Sequence, residues 1–324
     1  MRYHILEGEL KNSTKFKEKI GEYINRLIVN NRDTIVFNSD ELSEILLSAC
    51  RMNDSNILSH FGNKKCLDED IAEKWVIERL LPNTVVMDFS DEDVIRLLIF
   101  CFEITYQMFG GGTKATVSAK GFRERRRTFE SIVVDQFIGK LGEIMLKRFL
   151  ENKFSANIEL DWEISRQIEK YRNDIMNAKK LVSIKTSPSL AGIWAEADIG
   201  YDYGITVKCS VPEPIILQFF VEVCGFSKLL NFAENKIPSS DDIFKGYIEG
   251  MRERIKDYKC GELLSKLKGF ICGYFKTSDY EPIELGEKLA YLGEVREERY
   301  LMQITELKYT NEDWLNFLKE IGLR

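Results

Sequence analysis

Asn173-Asp174-Ile175-Met176-Asn177-Ala178-Lys179-Lys180-Leu181-Val182-Ser183-Ile184-Lys185 is the stretch on which the reading of this chain turns. An extended piece opens at Asp174, residues 177–180 can turn, and Leu181 to Lys185 returns as an apolar strand. The result is a hairpin with a lone carboxylate at one end facing a lone lysine at the end of its second strand. A turn aspartate is common in itself. A lysine closing an apolar strand is less ordinary, because it must either reach water along its stem or serve a purpose. Together the two groups offer a hard oxygen donor for a divalent cation and an ammonium that can stabilise developing negative charge.

Working outward, Ser187-Pro188 after the lysine has the form of an N-cap followed by proline at the first helical position. The helix it opens is expected to run through Trp194 and Glu196. On the upstream side, Asn157 to Ile164 alternates polar and apolar residues, the pattern of a half-buried strand. Before it, residues 129–150 form a long helix on which Asp135, Gly139, Gly142 and Glu143 share one stripe. Two glycines there cost about 1 kcal/mol each against alanine, so close approach of another backbone or of a DNA strand is expected at that face.

Further strands are expected at 205–211, 215–224 and 269–275, with helices from Ser240 to about Tyr258 and from a Thr310/Asp313 cap. The first hundred residues read mainly as helices, one capped by Asp40 and one running from Ser90-Asp91-Glu92-Asp93 to Phe109. Gly110-Gly111-Gly112 then stops the chain's helical run. The fold class is α+β, with a helical N-terminal region at 1–112 and a core at 113–324 built on a central mixed β-sheet flanked by helices.

Composition narrows the chemistry. With only two histidines, His4 and His60, and no Cys-x-x-Cys, neither a zinc cluster nor histidine-rich hydrolysis can be assembled. No Gly-x-Ser-x-Gly elbow occurs, and the triple glycine lacks the Gly-Lys-Ser/Thr of a phosphate loop. Seven scattered cysteines in apolar runs fit reduced core thiols in a cytoplasmic protein. A net charge of -6 means that any DNA contact needs a local basic surface. Lys114, Lys120, Arg123, Arg125, Arg126 and Arg127, relieved only by Glu124, supply one. A charge run is otherwise most often a solvated face.

Glu143 in a Gly-x-x-Gly-Glu helix, then Asp174, then Ser183-Ile184-Lys185 resembles the PD-(D/E)XK nuclease superfamily, most of all its type II restriction endonucleases. The resemblance covers roughly residues 129–224 and implies a restriction-endonuclease-like core, Mg²⁺ as cofactor, double-stranded DNA as substrate and a homodimer. It assigns Asp174 to the metal, with the Ile184 carbonyl as an extra ligand, and Lys185 to the attacking water and the scissile phosphate. Two departures stand out. Asn173 replaces the usual proline, and Ser183 stands where the family carries an acid. A subset of the family has serine there and takes its acid from the helix after the lysine strand. On that pattern Glu196 becomes the substitute ligand, with Asp198 as the alternative and Glu143 supporting the metal through water. Other readings from the same residues are a repair or recombination nuclease, or a non-catalytic DNA-binding protein on a degenerate nuclease fold.

Overall fold

A computed structural model describes residues 1–54, 56–61, 64–88, 91–109, 129–163, 173–211, 226–238, 240–256 and 266–324. The basic run 114–127, the triple glycine and the expected strand at 215–224 lie outside them. The chain begins with β1 (Arg2–Ile5), α1 (Glu7–Leu10), α2 (Ser13–Asn30), α3 (Ser39–Arg51), β2 (Leu58–Phe61), β3 (Lys64–Asp68) and α4 (Glu69–Trp75). It continues with β4 (Thr84–Met87), α5 (Glu92–Phe109), α6 (Phe129–Phe154), β5 (Val182–Ser187), β6 (Trp194–Asp198) and β7 (Tyr203–Ser210). After these come α7 (Phe226–Lys236), α8 (Asp242–Lys256), β8 (Leu267–Lys276), β9 (Lys288–Leu289), β10 (Gly293–Glu294), β11 (Arg299–Gln303) and α9 (Asn311–Glu320).

The central sheet is mixed, as expected, with order β4-β8-β7-β5. β5 and β7 run parallel, while β7 with β8 and β8 with β4 are antiparallel. Alternation along β7 and β8 sends side chains to two different cores. Ile205, Val207, Cys209, Ile271 and Tyr274 face α6 and α9, whereas Phe270 and Cys272 face the N-terminal module. α6 is apolar around most of its circumference because it is buried against the sheet on one side and α5 on another.

Two neighbouring glycines of α6 have different reasons to be glycine. A Cβ at Gly142 would stand 1.9 Å from Thr186 Oγ1, so only glycine lets the helix lie on β5. Gly139 faces open space, and its carbonyl accepts the Thr186 hydroxyl at 3.1 Å.

The N-terminal region holds more strand than the sequence suggested. β1, β3 and β2 form an antiparallel sheet of their own, and β4 joins the central one. Short alternating runs such as Thr84–Met87 carry too little period to declare themselves. Asn38 rather than Asp40 caps α3, with Glu41 closing the box. The Thr310/Asp313 cap of α9 forms as expected. The expected strand at 157–164 is a correction: residues 155–163 make no ladder. They lie beside the Asp174 segment instead, Met176 N donating to Glu159 O.

Candidate active site

β5 is the edge of the central sheet, and an edge strand has backbone groups with no strand to bond them. Asn173 and Asp174 take that place. The Val182 N–H donates to Asn173 Oδ1 at 3.0 Å, and the Ile184 N–H donates to Asp174 Oδ2 at 2.6 Å. The Asp174 N–H donates in turn to Val182 O. A residue's N–H and C=O leave a strand on the same side, so the Ile184 carbonyl faces Asp174 as well. The expected second extended piece at 174 is a turn, but the juxtaposition it was meant to produce is present.

Asp174 stands at the rim between two charged groups. On the α6 side, Glu143 is largely buried and Lys140 reaches it at 2.6 Å. Lys140 also donates to the Asp161 carbonyl and lies 5.7 Å over the Phe100 ring and 5.3 Å over Trp162. Burial pushes the Glu143 carboxyl up to about 8 in spite of Lys140, and the charges of Asp174 and Asp161 push the same way. Asp174 is raised too, first by burial. The Ile184 N–H, Lys185 and Lys140 oppose that shift, and Asp198 adds to it. A recess of about 260 Å³ opens here, with Gly139, Glu143, Asp161, Glu163 and Asp174 in its wall.

On the other side of the rim, Lys185 Nζ bonds Asp198 Oδ2 at 2.6 Å. These two residues do not line the recess. Ser183 is buried next to them on the same face of β5.

The position of Glu196 corrects the sequence reading. No helix follows Pro188: Ser189 to Gly192 makes one turn, and Trp194 to Asp198 is β6. The signal was there in the alternation, since Ala195 and Ala197 are wholly buried while Trp194, Glu196 and Asp198 are partly exposed. β6 pairs with β11, and Arg299 from β11 holds the Glu196 carboxylate. Asp198, one alternation further along the same face, is the acid that reaches Lys185.

The structure therefore brings Asp174 near both Glu143 and Lys185, and of the two acids weighed on the following segment it is the alternative, Asp198, and not Glu196, that lies on Lys185. Sequence reasoning missed Lys140, Asp161 and Glu163. Lys140 sits three residues before Glu143, a spacing at which ion pairs form on a helix, and that was the available signal.

The donors suit magnesium in kind, because carboxylate oxygens are hard ligands. Among the described residues no group of three or more His, Cys, Asp or Glu side chains is placed to hold an ion. Magnesium asks for less than that, since it keeps several waters and takes one or two carboxylates with the substrate phosphate. Asp174 is one such carboxylate, and Asp198 lies near enough to raise it electrostatically. Among the described residues no helix is long and apolar enough to cross a membrane. Set against protein-family models, curated proteins and solved structures, the chain shows no match in any of the three.

Proposed function

We propose that this chain is a nuclease hydrolysing phosphodiester bonds of double-stranded DNA, in the manner of a type II restriction endonuclease. The observation that carries this reading is the rim itself. Asp174 is fixed by the Ile184 N–H at 2.6 Å and couples electrostatically to Lys185, with a second acid, Asp198, on that lysine. Magnesium, held by Asp174 and Asp198 with the Ile184 carbonyl near, would supply Lewis-acid polarisation of the phosphate.

The chain's own groups do the rest. The backbone bond to Asp174 orients its carboxylate without a side-chain partner that could swing away. Lys185, freed from Asp198 when an anionic phosphate arrives, stabilises the charge that develops on it. Glu143, on the α6 side of Asp174, would support the metal shell through water. The cations at 114–127 are the proposed DNA contacts. Cutting both strands needs two sites, and the described residues bring together one, hence a homodimer. A non-catalytic DNA-binding protein is the second reading, favoured by Ser183 at the family's acid position and by the closed Lys185–Asp198 pair.

The test is incubation of phage DNA with Mg²⁺ and the wild-type chain, Asp174→Asn or Lys185→Ala. Discrete fragments from the wild type alone, with DNA retention by all three, are expected. Asparagine at 174 can still accept the Ile184 N–H, so its loss of activity reports chemistry rather than folding. Intact DNA with the wild type leaves the binding-protein reading, and cleavage by either variant at wild-type rate removes the site.

A further inference from the structure

The Lys185–Asp198 pair joins two parts of the molecule that belong to different sheets. Lys185 stands on β5 in the central sheet, and Val182 and Ile184 of that strand pack into the core beneath α6. Asp198 stands on β6, whose ladder partner is β11. The inner side of that two-stranded ribbon, with Ala195, Ala197 and Met302, packs into the other core, among the helices of the N-terminal module. The pair therefore spans a seam between two cores, and the backbone bonds of neither sheet set its separation. The chain itself crosses the seam at residues 188–193.

That connection is irregular backbone, and its carbonyls must find donors on other elements. Four consecutive ones do. Leu190 O accepts Lys208 Nζ at 2.8 Å, and Ala191 O accepts an Arg51 N–H at 3.0 Å. Gly192 O accepts the Ser48 hydroxyl at 2.7 Å, and Ile193 O accepts the Ile304 N–H at 3.0 Å. Ser48 and Arg51 are neighbours on the surface of α3, three residues apart. Lys208 also donates to the Ser48 hydroxyl at 2.9 Å, so α3, β7 and the connection share one chain of bonds. Ser48 and Lys208 are almost wholly buried, where a missing partner is not replaced by water. Arg51 is fixed in turn by the Leu10 carbonyl at 2.7 Å and lies 4.6 Å from the centre of the Tyr291 ring.

A helix that merely covered the sheet would need apolar side chains at these places. Instead α3 turns two polar ones onto the single backbone segment that has Lys185 before it and Asp198 after it. We propose that α3 positions the candidate site: through Ser48 and Arg51 it holds the 188–193 connection and so sets Asp198 against Lys185. Both are positioning residues, acting through the backbone between the paired groups. The consequence for catalysis rests on the nuclease reading, whereas the consequence for the pair does not.

The pair can be followed through Lys185 itself, because an amine held by a carboxylate is shielded from an acylating reagent. Acetylation of the full chain at one fixed pH, read by peptide mass spectrometry with the exposed Lys15 as internal reference, is the measurement. Ser48→Ala and Arg51→Met should each speed acetylation of Lys185 by about fivefold, the factor that one lost hydrogen bond is worth, and together by more. Arg51→Lys keeps a cationic donor beside the Ala191 carbonyl and should restore most of the protection. Ile20→Val loosens the same N-terminal core away from the connection and should leave Lys185 as it is in the wild type. With duplex DNA and Mg²⁺, the double variant is expected to lose kcat while KM changes little.

Unchanged acetylation of Lys185 in the double variant, an equal rise in Ile20→Val, or a loss confined to KM would each overturn the proposal. Should the double variant not fold, the two single variants carry the same test. A wild type that leaves DNA intact removes the nuclease reading alone, and the acetylation rates still decide the role of α3.

Discussion

At Gly139–Glu143, α6 meets carboxylates, Asp161, Glu163 and Asp174, with one lysine among them. Ten residues on, about 15 Å along the helix, Lys153 donates to the Pro82 carbonyl and shares the wall of a cavity of about 760 Å³ with Lys74, Arg79 and the start of α9. One buried helix thus serves an acid-rich recess and a base-rich cavity. The first is organised by neighbours in sequence and a strand edge. The second draws on residues from 56 to 311, from α4 and the turns after it, the end of α6 and the start of α9.

The largest effect that separates them is on stability. Gly142→Ala forces a methyl into Thr186 and should cost about 1–3 kcal/mol as overpacking. Gly139→Ala meets open space and should stabilise the helix by up to about 1 kcal/mol. Thermal melts of both variants check the pair, and equal shifts would mean that the recess is not open at Gly139. If DNA passes there, Gly139→Ala slows cleavage even while raising the melting temperature.

A buried lysine on the other face of the sheet comes next. Lys208 of β7 donates to Ser48 Oγ at 2.9 Å and the Leu190 carbonyl at 2.8 Å, and burial brings it down to about 8. Its folded value lies below its unfolded one, so stability should rise with pH from about 8 to about 10.5. Lys208→Met should remove that slope and raise stability at pH 7 by about 1–3 kcal/mol. Denaturant titrations across that range decide it, and an unchanged slope would assign it to other groups.

Glu143 supplies the smaller effect, of opposite sign. Its folded value near 8 exceeds the ordinary carboxylate value of 4.5. The contribution is therefore complete below about 4.5 and lost as pH rises through about 8. Glu143→Gln should flatten this fall by about 1–2 kcal/mol, less than burial alone suggests because Lys140 remains close. A recess that accepts cations should show the same flattening in the wild type on adding Mg²⁺. No effect of Mg²⁺ on the slope would count against a cation there.

Much of this was legible in the chain, for reasons that can be named. α6, β5, β7, β8 and α9 follow from long periods or a clear cap, and Asp174 with Lys185 from their isolation among apolar residues. Pro188 misled, because a proline signal suits the start of a turn as well as a helix, and Gly192 ends that turn at once. The alternation of Trp194–Asp198 marks a strand instead, on which Asp198, the alternative acid, reaches Lys185 and Glu196 pairs with Arg299. The basic cavity had no linear signature at all. Trp75, Arg79 and Tyr309 each read as ordinary, and only tertiary packing brings them to one wall.

The pairing of β4 with β8 bears on how the chain is made. Thr84–Met87 leaves the ribosome well before its partner Leu267–Phe270, which follows about 180 residues later in the chain. While that interval is translated the N-terminal module must therefore keep an apolar face uncovered, because Phe270, Phe275 and Met302, which complete its core, have yet to appear. Nascent chains in that condition expose a sticky surface and an unpaired strand edge. A chain stopped before β8 should accordingly aggregate or engage chaperones rather than accumulate as a stable half, and its yield should fall steeply when elongation is slowed between residues 211 and 267.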